Sequence, residues 1–462
     1  MFVFRRITRY AIFALLALGC LYVFSRSGGS GSITVIDPAA IVAEAPVSVP
    51  AAVAELDPQP HAEAAPDDNL NGKDTPVDTT PVHANALESL HFKHHKDTPR
   101  EKVVEDNYNQ LVSILQQVIS EPKVDNLVRP INPSTYKLAN ATLMIMARNQ
   151  DLRGVLYTMR QIEEKFNSKF HYPYVILNDG DFKDNFIDRV TKMTTSKVYF
   201  EKIEPEEWNQ PDWIDSSKQK SQMKVLKQQN IAYANKVSYH NMCRYYSINF
   251  FNHPRMREFK YYWRFEPNTD YFCDIDYDVF KFMEMNNKVY GFVISLYDAQ
   301  ETMPSLWPET LKFLNKNKNY LNKNAAIDFL MEDMQNPVKT EFTGGYSTCH
   351  FWSNFEIADM DFYRGEAYTE WTKHLDQTGG FYYERWGDAP VHTLGVGLFA
   401  DRNDVHWFRD IGYKHHPYTN CPHSDKCHGC EPGLFTYEHL KDQNCLTNWW
   451  NYEMDDTSRQ LY

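Results

Sequence analysis

The densest group of side chains that could hold a metal lies directly after a predicted strand. Five carboxylates occur between Glu266 and Asp278, in the segment EPNTDYFCDIDYD. Hard oxygen ligands gathered in one loop suit Mn²⁺ or Mg²⁺ that bridges a diphosphate. Asp274 and Asp276 also satisfy the short D-x-D pattern of many nucleotide-sugar transferases, although a three-letter pattern recurs by chance. An exposed acidic turn is the alternative interpretation.

A second candidate is the carboxylate that ends an aromatic run, Glu356 in HFWSNFE. Burial beside aromatic rings raises the pKa of a carboxyl group and nearby cations lower it, so Glu356 suits the role of an acid, a base or a nucleophile. The alternative is a helix cap, with Asn354 or Glu356 preceding a helix that begins near Ile357. The residues alone leave both interpretations open.

Two further segments mix aromatic and charged residues. The first, FYYERWGDAPVH at 381–392, has the stacking rings and hydrogen-bonding groups that sugar recognition needs, since a pyranose offers an apolar face and hydroxyls. A core with satisfied ion pairs is the alternative. The second, at 406–417, contains His415 and His416, whose neutral imidazoles can ligate Mn²⁺. For any single histidine here, a structural role is the more common one.

The elements that must position these residues alternate between short apolar runs and amphipathic helices. The predicted elements are helices over 103–119, 152–166, 186–193 and 218–251, and strands over 142–147, 172–177, 197–200, 261–265 and 288–296. This alternation predicts an α/β sheet with buried parallel strands.

Ligands of such sheets bind at the carboxyl ends of the strands. Two of the predicted strands end in Arg148 and in Asn178 and Asp179, which are therefore our candidates for a nucleotide site. Ordinary turn residues explain the same pattern equally well.

The N-terminus is typical of membrane targeting, because arginines at 5, 6 and 9 precede an apolar run over 10–24. Ala, Pro, Asp and Glu then dominate, with no aromatic residue between Phe24 and Phe92. We expect a cytoplasmic tail over 1–6 and a retained signal-anchor helix over 7–26. A flexible luminal stem over 27–97 and a luminal catalytic domain over 98–462 should follow. A cleaved signal peptide is the alternative.

The net charge and the cysteine content restrict which binding partners and which cellular compartment we expect. The formal net charge of -13 disfavours nucleic-acid binding. Apart from Cys20 in the apolar run, seven cysteines remain, so at least one is free or paired between chains. In an oxidising lumen, disulfides are a better interpretation than a zinc site at Cys427-His-Gly-Cys430.

Four long segments, in order, resemble the fungal Golgi α-1,2-mannosyltransferases of glycosyltransferase family 15. They are YYWRFEPNTDYFCDIDYDVF, GGYSTCHFWSNFEIADMDFYRGEAY, GGFYYERWGDAPVHTLGVGLFAD and HWFRDIGYKHHPYTNCP. The resemblance covers nearly all of the chain from about residue 100 onward, and the anchor and stem match too. It implies a GT-A-like α/β fold, GDP-mannose as donor, Mn²⁺ as cofactor and retention of the α configuration. It also implies a single-pass type II protein of the Golgi membrane that extends mannose-terminated O-linked or N-linked glycans of glycoproteins.

The resemblance also assigns roles to individual residues. It gives the metal-ligand role to Glu266 rather than to the D-x-D aspartates, and a second ligand to His415, with His416 as the neighbouring alternative. It makes Glu356 the candidate nucleophile and places Tyr239 near the departing phosphate.

Two other functions stay open at this point. One is a GDP-mannose-dependent transferase of different linkage, and the other is a non-catalytic luminal glycan-binding protein. The intact set of Tyr239, Glu266, Glu356 and His415 argues against the second, because a lectin has no need of a metal-diphosphate site.

Overall fold

The computed structural model describes residues 98–130 and 136–462. The expected tail, anchor helix and stem, together with Cys20, lie outside these ranges. Within them, no helix is both long and apolar enough to cross a membrane.

The strands form a large mixed sheet and two small sheets. In chain order they are β1 Ala141–Met146, β2 Tyr174–Asn178, β3 Val198–Lys202, β4 Tyr261–Arg264, β5 Asp270–Tyr271, β6 Tyr290–Phe292, β7 Ser295–Tyr297, β8 Cys349–Phe351, β9 Glu356–Asp359, β10 Val405–Trp407, β11 Tyr413–His415 and β12 Tyr418–Asn420. The large sheet has the order β10-β6-β9-β4-β1-β2-β3, while β12-β11-β5 and β7-β8 form the small sheets.

The helices pack against the sheets and bury apolar side chains there. They are α1 Arg100–Leu115, α2 Leu152–Ile162, α3 Ser168–Phe170, α4 Asp184–Thr191, α5 Pro205–Trp208, α6 Ser216–Gln228, α7 Val237–Ile248, α8 Val279–Met285, α9 Leu306–Lys316, α10 Ile327–Leu330, α11 Pro337–Phe342, α12 Met360–Arg364, α13 Glu366–Thr378, α14 Gly380–Tyr383, α15 Asp388–Phe399, α16 Leu446–Tyr452 and α17 Asp456–Arg459. One of these helices, α15, packs against helix α7 and strand β8.

The α/β class expected from the sequence is confirmed, and the expectation of parallel strands is correct for one half of the large sheet. Strand β1 pairs in parallel with β2 and β4, and β2 pairs in parallel with β3. Residues of β1 and β2 are buried almost throughout, as continuous apolar strands covered on both faces must be. In the other half, β10 pairs in parallel with β6, but β9 runs antiparallel to both β4 and β6.

Three predicted elements are wrong. The helix expected over 218–251 is broken between α6 and α7, where Asn230 and Tyr233 adopt left-handed backbone conformations with φ of 59°. The strand expected over 288–296 is two strands in different sheets, β6 and β7. The helix expected near Ile357 is strand β9, and the helix begins only at Met360, where the Asp359 side chain accepts a hydrogen bond from Asp361 N.

Three disulfides confirm the interpretation of the cysteines as disulfide pairs rather than a zinc site. Cys273 bonds Cys427, Cys349 bonds Cys445, and Cys421 bonds Cys430, while Cys243 is free and buried. The first of these joins the segment after β5 to the segment after β12. It reinforces the antiparallel contact between β5 and β11.

The turn that follows β4 packs closely on helix α2. Asn268 has a left-handed φ of 61°, and its backbone N donates to the Gly154 carbonyl at 3.3 Å. A Cβ atom at Gly154 would lie 2.6 Å from Asn268 Nδ2 and 2.8 Å from Pro267 Cβ. Glycine is therefore needed in α2 so that the Glu266–Pro267 turn can approach the helix.

Candidate active site

The guanidinium of Arg264, the last residue of β4, lies among three carboxylates. Its Nε and Nη2 donate to Glu266 Oε1 at 3.0 and 2.8 Å, and its Nη1 donates to Asp388 Oδ2 at 2.5 Å. Nη1 is also 3.8 Å from Glu356 Oε1, because the β4–β9 register pairs Arg264 with Glu356. The Tyr246 ring packs on the guanidinium at 3.6 Å. We call these four charged residues the Arg264 network.

Glu266 is the second residue after β4, and Pro267 follows it and prevents the strand from continuing, as predicted. Burial raises the pKa of its carboxyl group, and the charge of Arg264 opposes that rise. Both hydrogen bonds from Arg264 reach Oε1. The guanidinium therefore holds the carboxylate by one oxygen and does not engage Oε2.

Glu356 is fully buried at the start of β9. Its Oε2 accepts a hydrogen bond from the Tyr290 hydroxyl at 2.9 Å and lies 2.9 Å from His392 Nδ1. Its Oε1 has no hydrogen-bond partner among the described residues. The two carboxylate oxygens are thus in different environments: one is held from two sides, and the other is buried with its hydrogen-bonding capacity unused.

His415 ends β11 and is half-buried beside the Trp352 ring, with 4.8 Å between ring centroids. Burial lowers the pKa of His415 to about 4, and the charge of Arg264 contributes in the same direction. The imidazole is therefore neutral at physiological pH, as a metal ligand must be. The adjacent His416 is exposed and contacts the Tyr437 ring at 5.9 Å.

Glu266 and His415 fit a divalent transition metal by chemistry, since Mn²⁺ accepts carboxylate and imidazole ligands. The segments 98–130 and 136–462 contain no group of three or more His, Cys, Asp or Glu side chains that could hold an ion alone. A metal bound here would therefore need further ligands from a substrate or from water. A diphosphate supplies oxygens of the required kind.

Tyr239, in the first turn of α7, contacts an arginine that the sequence reasoning missed. Arg385 Nη1 donates to the Tyr239 hydroxyl at 3.0 Å, and Arg385 Nη2 lies 3.6 Å from Asp298 Oδ1. Tyr233 stacks on Tyr239 at 4.8 Å with 14° between the ring planes. Arg385 Nε is buried without a hydrogen-bond partner among the described residues. A cation and a phenol are thus placed together, which suits an anionic ligand.

A cleft of about 360 Å³ lies where β1 and β2 end, and Arg148, Asn178 and Asp179 line it. Several buried polar atoms in it lack partners among the described residues: both terminal nitrogens of Arg148, Asn178 Oδ1 and Asp179 Oδ1. Burial raises the pKa of Asp179, and the charge of Arg148 opposes this. Since unpaired buried polar atoms cost free energy, this set indicates a ligand that completes their hydrogen bonds.

The aspartates of the D-x-D pattern lie in ion pairs instead. Asp274 Oδ1 is 3.0 Å from Lys165 Nζ, and Asp276 is 2.6 Å from Lys169 Nζ and 3.1 Å from Lys426 Nζ. These lysines neutralise both aspartates, so the structure gives them no free charge to offer a cation.

Arg264, Asp388, His392 and Arg385 were not singled out from the sequence, although all four lie in the segments quoted above. Arg264 had a usable signal, because alternate residues of a strand share a face and Arg264 is two residues before Glu266. The other three are joined to the site by long-range packing, for which one sequence has no signal.

Residues 95–454 match the family model described as glycolipid 2-alpha-mannosyltransferase. The chain is 46% identical over 410 residues to the probable mannosyltransferase KTR4 of Saccharomyces cerevisiae, a match that covers 85% of this chain and 88% of the relative. It is 43% identical over 300 residues to the O-glycoside alpha-1,2-mannosyltransferase omh1 of Schizosaccharomyces pombe, covering 64% of this chain and 75% of the relative.

Solved structures match the fold as well. The mannosyltransferase Ktr4p of S. cerevisiae in complex with GDP superposes with a TM-score of 0.81 at 45% identity, covering 82% of this chain and all of that one. Core-mannan synthase A of Aspergillus fumigatus, in its Mn/GDP form, gives a TM-score of 0.72 at 46% identity, covering 73% of this chain and 93% of that one. The resemblance found in the sequence is thereby confirmed, and the chain belongs to the glycolipid 2-alpha-mannosyltransferase family, a family of glycosyltransferases.

Proposed function

We propose that this protein is a retaining α-1,2-mannosyltransferase that moves mannose from GDP-mannose to the mannose-terminated O-linked or N-linked glycans of glycoproteins. The observation that carries the proposal is the Arg264 network, which gathers Glu266, Glu356 and Asp388 at the carboxyl end of β4. The relatives named above as mannosyltransferases support it. We assign the large sheet to the GT-A type of nucleotide-sugar domain.

The cleft at the ends of β1 and β2 suits the guanosine half of the donor. Guanine presents acceptors at O6 and N7 and a donor at its exocyclic N2. The unpartnered nitrogens of Arg148 match the acceptors, and the unpartnered oxygens of Asn178 and Asp179 match the donor. The GDP complex of the relative Ktr4p supports this choice of nucleotide.

Glu266 and His415 are the residues that would hold Mn²⁺. When bound, the metal would act as a Lewis acid that neutralises charge on the departing GDP. The Mn/GDP form of the A. fumigatus relative supports this choice of metal. The chain itself adds the Arg385 guanidinium and the Tyr239 hydroxyl, a hydrogen-bonded pair that would donate to the diphosphate and stabilise it as it leaves.

Glu356 would act at the anomeric carbon through Oε1, the oxygen without a hydrogen-bond partner. Its negative charge would either attack that carbon or stabilise an oxocarbenium ion during front-side transfer. Both routes need the ionised carboxylate and retain the α configuration. The Arg264 guanidinium, with Nη1 3.8 Å from Oε1, places a positive charge beside this carboxylate.

We also propose that the protein lies in the Golgi membrane as a single-pass type II protein with its catalytic domain in the lumen. Three disulfides support an oxidising compartment. Arginines before the apolar run over 10–24 support the cytoplasmic position of the N-terminus. Protease protection of the domain in intact Golgi vesicles, lost on detergent addition, would test this orientation.

The test of the activity is transfer from GDP-mannose to methyl α-mannoside by the purified protein, with Mn²⁺ and with EDTA, and NMR of the product. We expect an α-1,2-linked disaccharide that forms only with Mn²⁺. A different linkage would identify another GDP-mannose-dependent transferase. Failure to bind GDP-mannose at all would favour the non-catalytic glycan-binding alternative.

The matched variant is Glu356→Gln, which keeps the shape of the side chain and removes its charge. We expect it to bind GDP-mannose normally and to turn over slowly. Near-normal turnover would remove Glu356 from the chemistry.

A further inference from the structure

The buried partner of Glu356 is His392, a residue of α15 that has no solvent exposure. Its Nδ1 lies 2.9 Å from Glu356 Oε2, and its Nε2 lies 2.9 Å from the backbone carbonyl oxygen of Tyr246 in α7. A carbonyl oxygen only accepts hydrogen bonds, so Nε2 must carry a hydrogen. This contact fixes one nitrogen of the ring as a donor and leaves the protonation of Nδ1 to be decided by Glu356.

Two arrangements of the proton between His392 and Glu356 are possible. In the first, Nδ1 is protonated, the ring is an imidazolium, and it donates to a charged carboxylate. In the second, the ring is neutral and Glu356 must carry the proton on Oε2. An ionised Glu356 with a hydrogen bond from His392 therefore requires a charged His392. Burial alone would lower the pKa of His392, but the charge and hydrogen bond of Glu356 outweigh burial and raise it.

We propose that His392 is a positioning residue, which acts with Tyr290 to hold Oε2 of Glu356 so that Oε1 is the oxygen presented to the sugar. The inference rests on the role of Glu356 proposed above. Two donors, from β6 and from α15, reach Oε2 at 2.9 Å each, while Oε1 has no hydrogen-bond partner among the described residues. Rotation of the carboxylate away from this orientation would break both hydrogen bonds. The orientation is therefore fixed before the donor binds.

The other titratable groups around His392 are all buried. Glu356 and Asp388 act on the ring through their charges, Tyr363 and Tyr368 contact it, and Tyr290 donates to Glu356 Oε2 beside it. Burial raises the pKa of all three tyrosines well above 10. For Asp388, burial favours the neutral form, but the charge of Arg264 outweighs it and lowers the pKa.

Two amide variants separate the contact with Glu356 from the contact with the Tyr246 carbonyl. In His392→Asn, the amide nitrogen takes about the place of Nδ1 and can still donate to Oε2. In His392→Gln, it takes about the place of Nε2 and loses Oε2. Both variants are uncharged and of similar size, so they differ chiefly in which hydrogen bond survives.

We expect His392→Gln to lower kcat by about 10- to 100-fold, the usual contribution of a hydrogen bond to a charged group. Its KM for GDP-mannose should stay near that of the wild type, because His392 does not contact the donor cleft. His392→Asn should recover most of the lost kcat. The wild-type kcat should fall as the pH rises through the pKa of His392, because the imidazolium then loses its proton, and this fall should be absent in His392→Asn.

Wild-type kcat in His392→Gln would overturn the inference, and so would equal losses in the Asn and Gln variants. If His392→Gln fails to fold, as judged by its melting curve, Tyr290→Phe takes its place by removing the second donor to Oε2, and unchanged kcat in that variant overturns the inference. Glu356→Gln separates the two proposals. Slow turnover of Glu356→Gln beside normal turnover of His392→Gln refutes only the role of His392, whereas normal turnover of Glu356→Gln refutes the role of Glu356 itself.

Discussion

Two acidic regions of this protein have opposite environments. The loop after β5 contains Asp274 and Asp276, each paired with at least one lysine and each about 40% exposed or more. The Arg264 network contains Glu266, Glu356 and Asp388, with a single guanidinium among them and exposures of 19% or less. The first region resembles a metal site in sequence, and the second has the unbalanced charge that a metal site needs.

The difference shows that the balance of charge is a better guide to a cation site than the density of carboxylates. In the loop, the lysines already neutralise the aspartates. In the network, one guanidinium lies among three carboxylates in a buried environment. A buried charge without a partner costs several kcal/mol, so this excess of carboxylates supports the cation site proposed above.

The largest effect should come from Glu266→Ala. We expect Mn²⁺-dependent affinity for GDP to fall by more than about 100-fold, since outer-shell residues alone contribute about 10- to 100-fold to metal affinity. Calorimetry with GDP, in Mn²⁺ and in EDTA, measures it, and Asp274→Asn is the matched control. Wild-type affinity in Glu266→Ala with Mn²⁺ present would remove this residue from the metal site.

The next largest effect should follow Arg264→Met, which leaves three buried carboxylates without their cation. We expect the free energy of unfolding to fall by about 3 to 5 kcal/mol. Urea denaturation measures this value. The control is Lys169→Met, which removes a lysine that pairs with Asp276 of the exposed acidic loop and should cost less than about 1 kcal/mol. Equal losses in the two variants would contradict the contrast between the regions.

A smaller loss should follow Gly154→Ala, because the new methyl group would overlap the turn that carries Glu266. We expect a loss of about 1 to 3 kcal/mol in the free energy of unfolding, as is usual when a packed contact is overfilled. Gly180→Ala is the control, since a Cβ there would meet its nearest atom only at 3.8 Å. A Gly154→Ala protein as stable as the wild type would show that the turn can move away from α2.

The smallest effect should be that of Asp276→Asn. Partly exposed ion pairs contribute about 0 to 1 kcal/mol, so we expect a change in the free energy of unfolding within that range. GDP affinity in Mn²⁺ should be unchanged. Loss of Mn²⁺-dependent binding in this variant would return the metal-ligand role to the D-x-D pattern.

The sequence predicts the first half of the large sheet well because its strands are continuous apolar runs. The starts and ends of β1, β2 and β3 differ from the predicted ones by at most two residues. It predicts a helix that begins near Ile357, because the pattern around 356–364 gives no sign that β9 inserts between β4 and β6. That pairing joins residues separated by about ninety positions, and only the tertiary structure determines it.

The candidate site also divides into residues that the sequence identifies and neighbours that only the structure shows. Glu266, Glu356, His415 and Tyr239 come from the family resemblance, and the structure supplies their neighbours. Arg264 joins Glu266 to Asp388 across 122 to 124 residues of chain, and His392 reaches Glu356 from a helix 36 residues further on. Such contacts depend on how α15 packs against α7 and β8, which local propensity does not encode.

The disulfide between Cys273 and Cys427 has a practical consequence for making this protein. It connects the segment that follows Glu266 to the segment that follows His415, so it ties together the two halves of the proposed metal site across 154 residues of chain. In the cytosol of a bacterial host, where thiols are kept reduced, only non-covalent contacts would hold those halves together. Recombinant enzyme should therefore be produced by secretion, and metal affinity measured before and after mild reduction would report how well the two halves are joined.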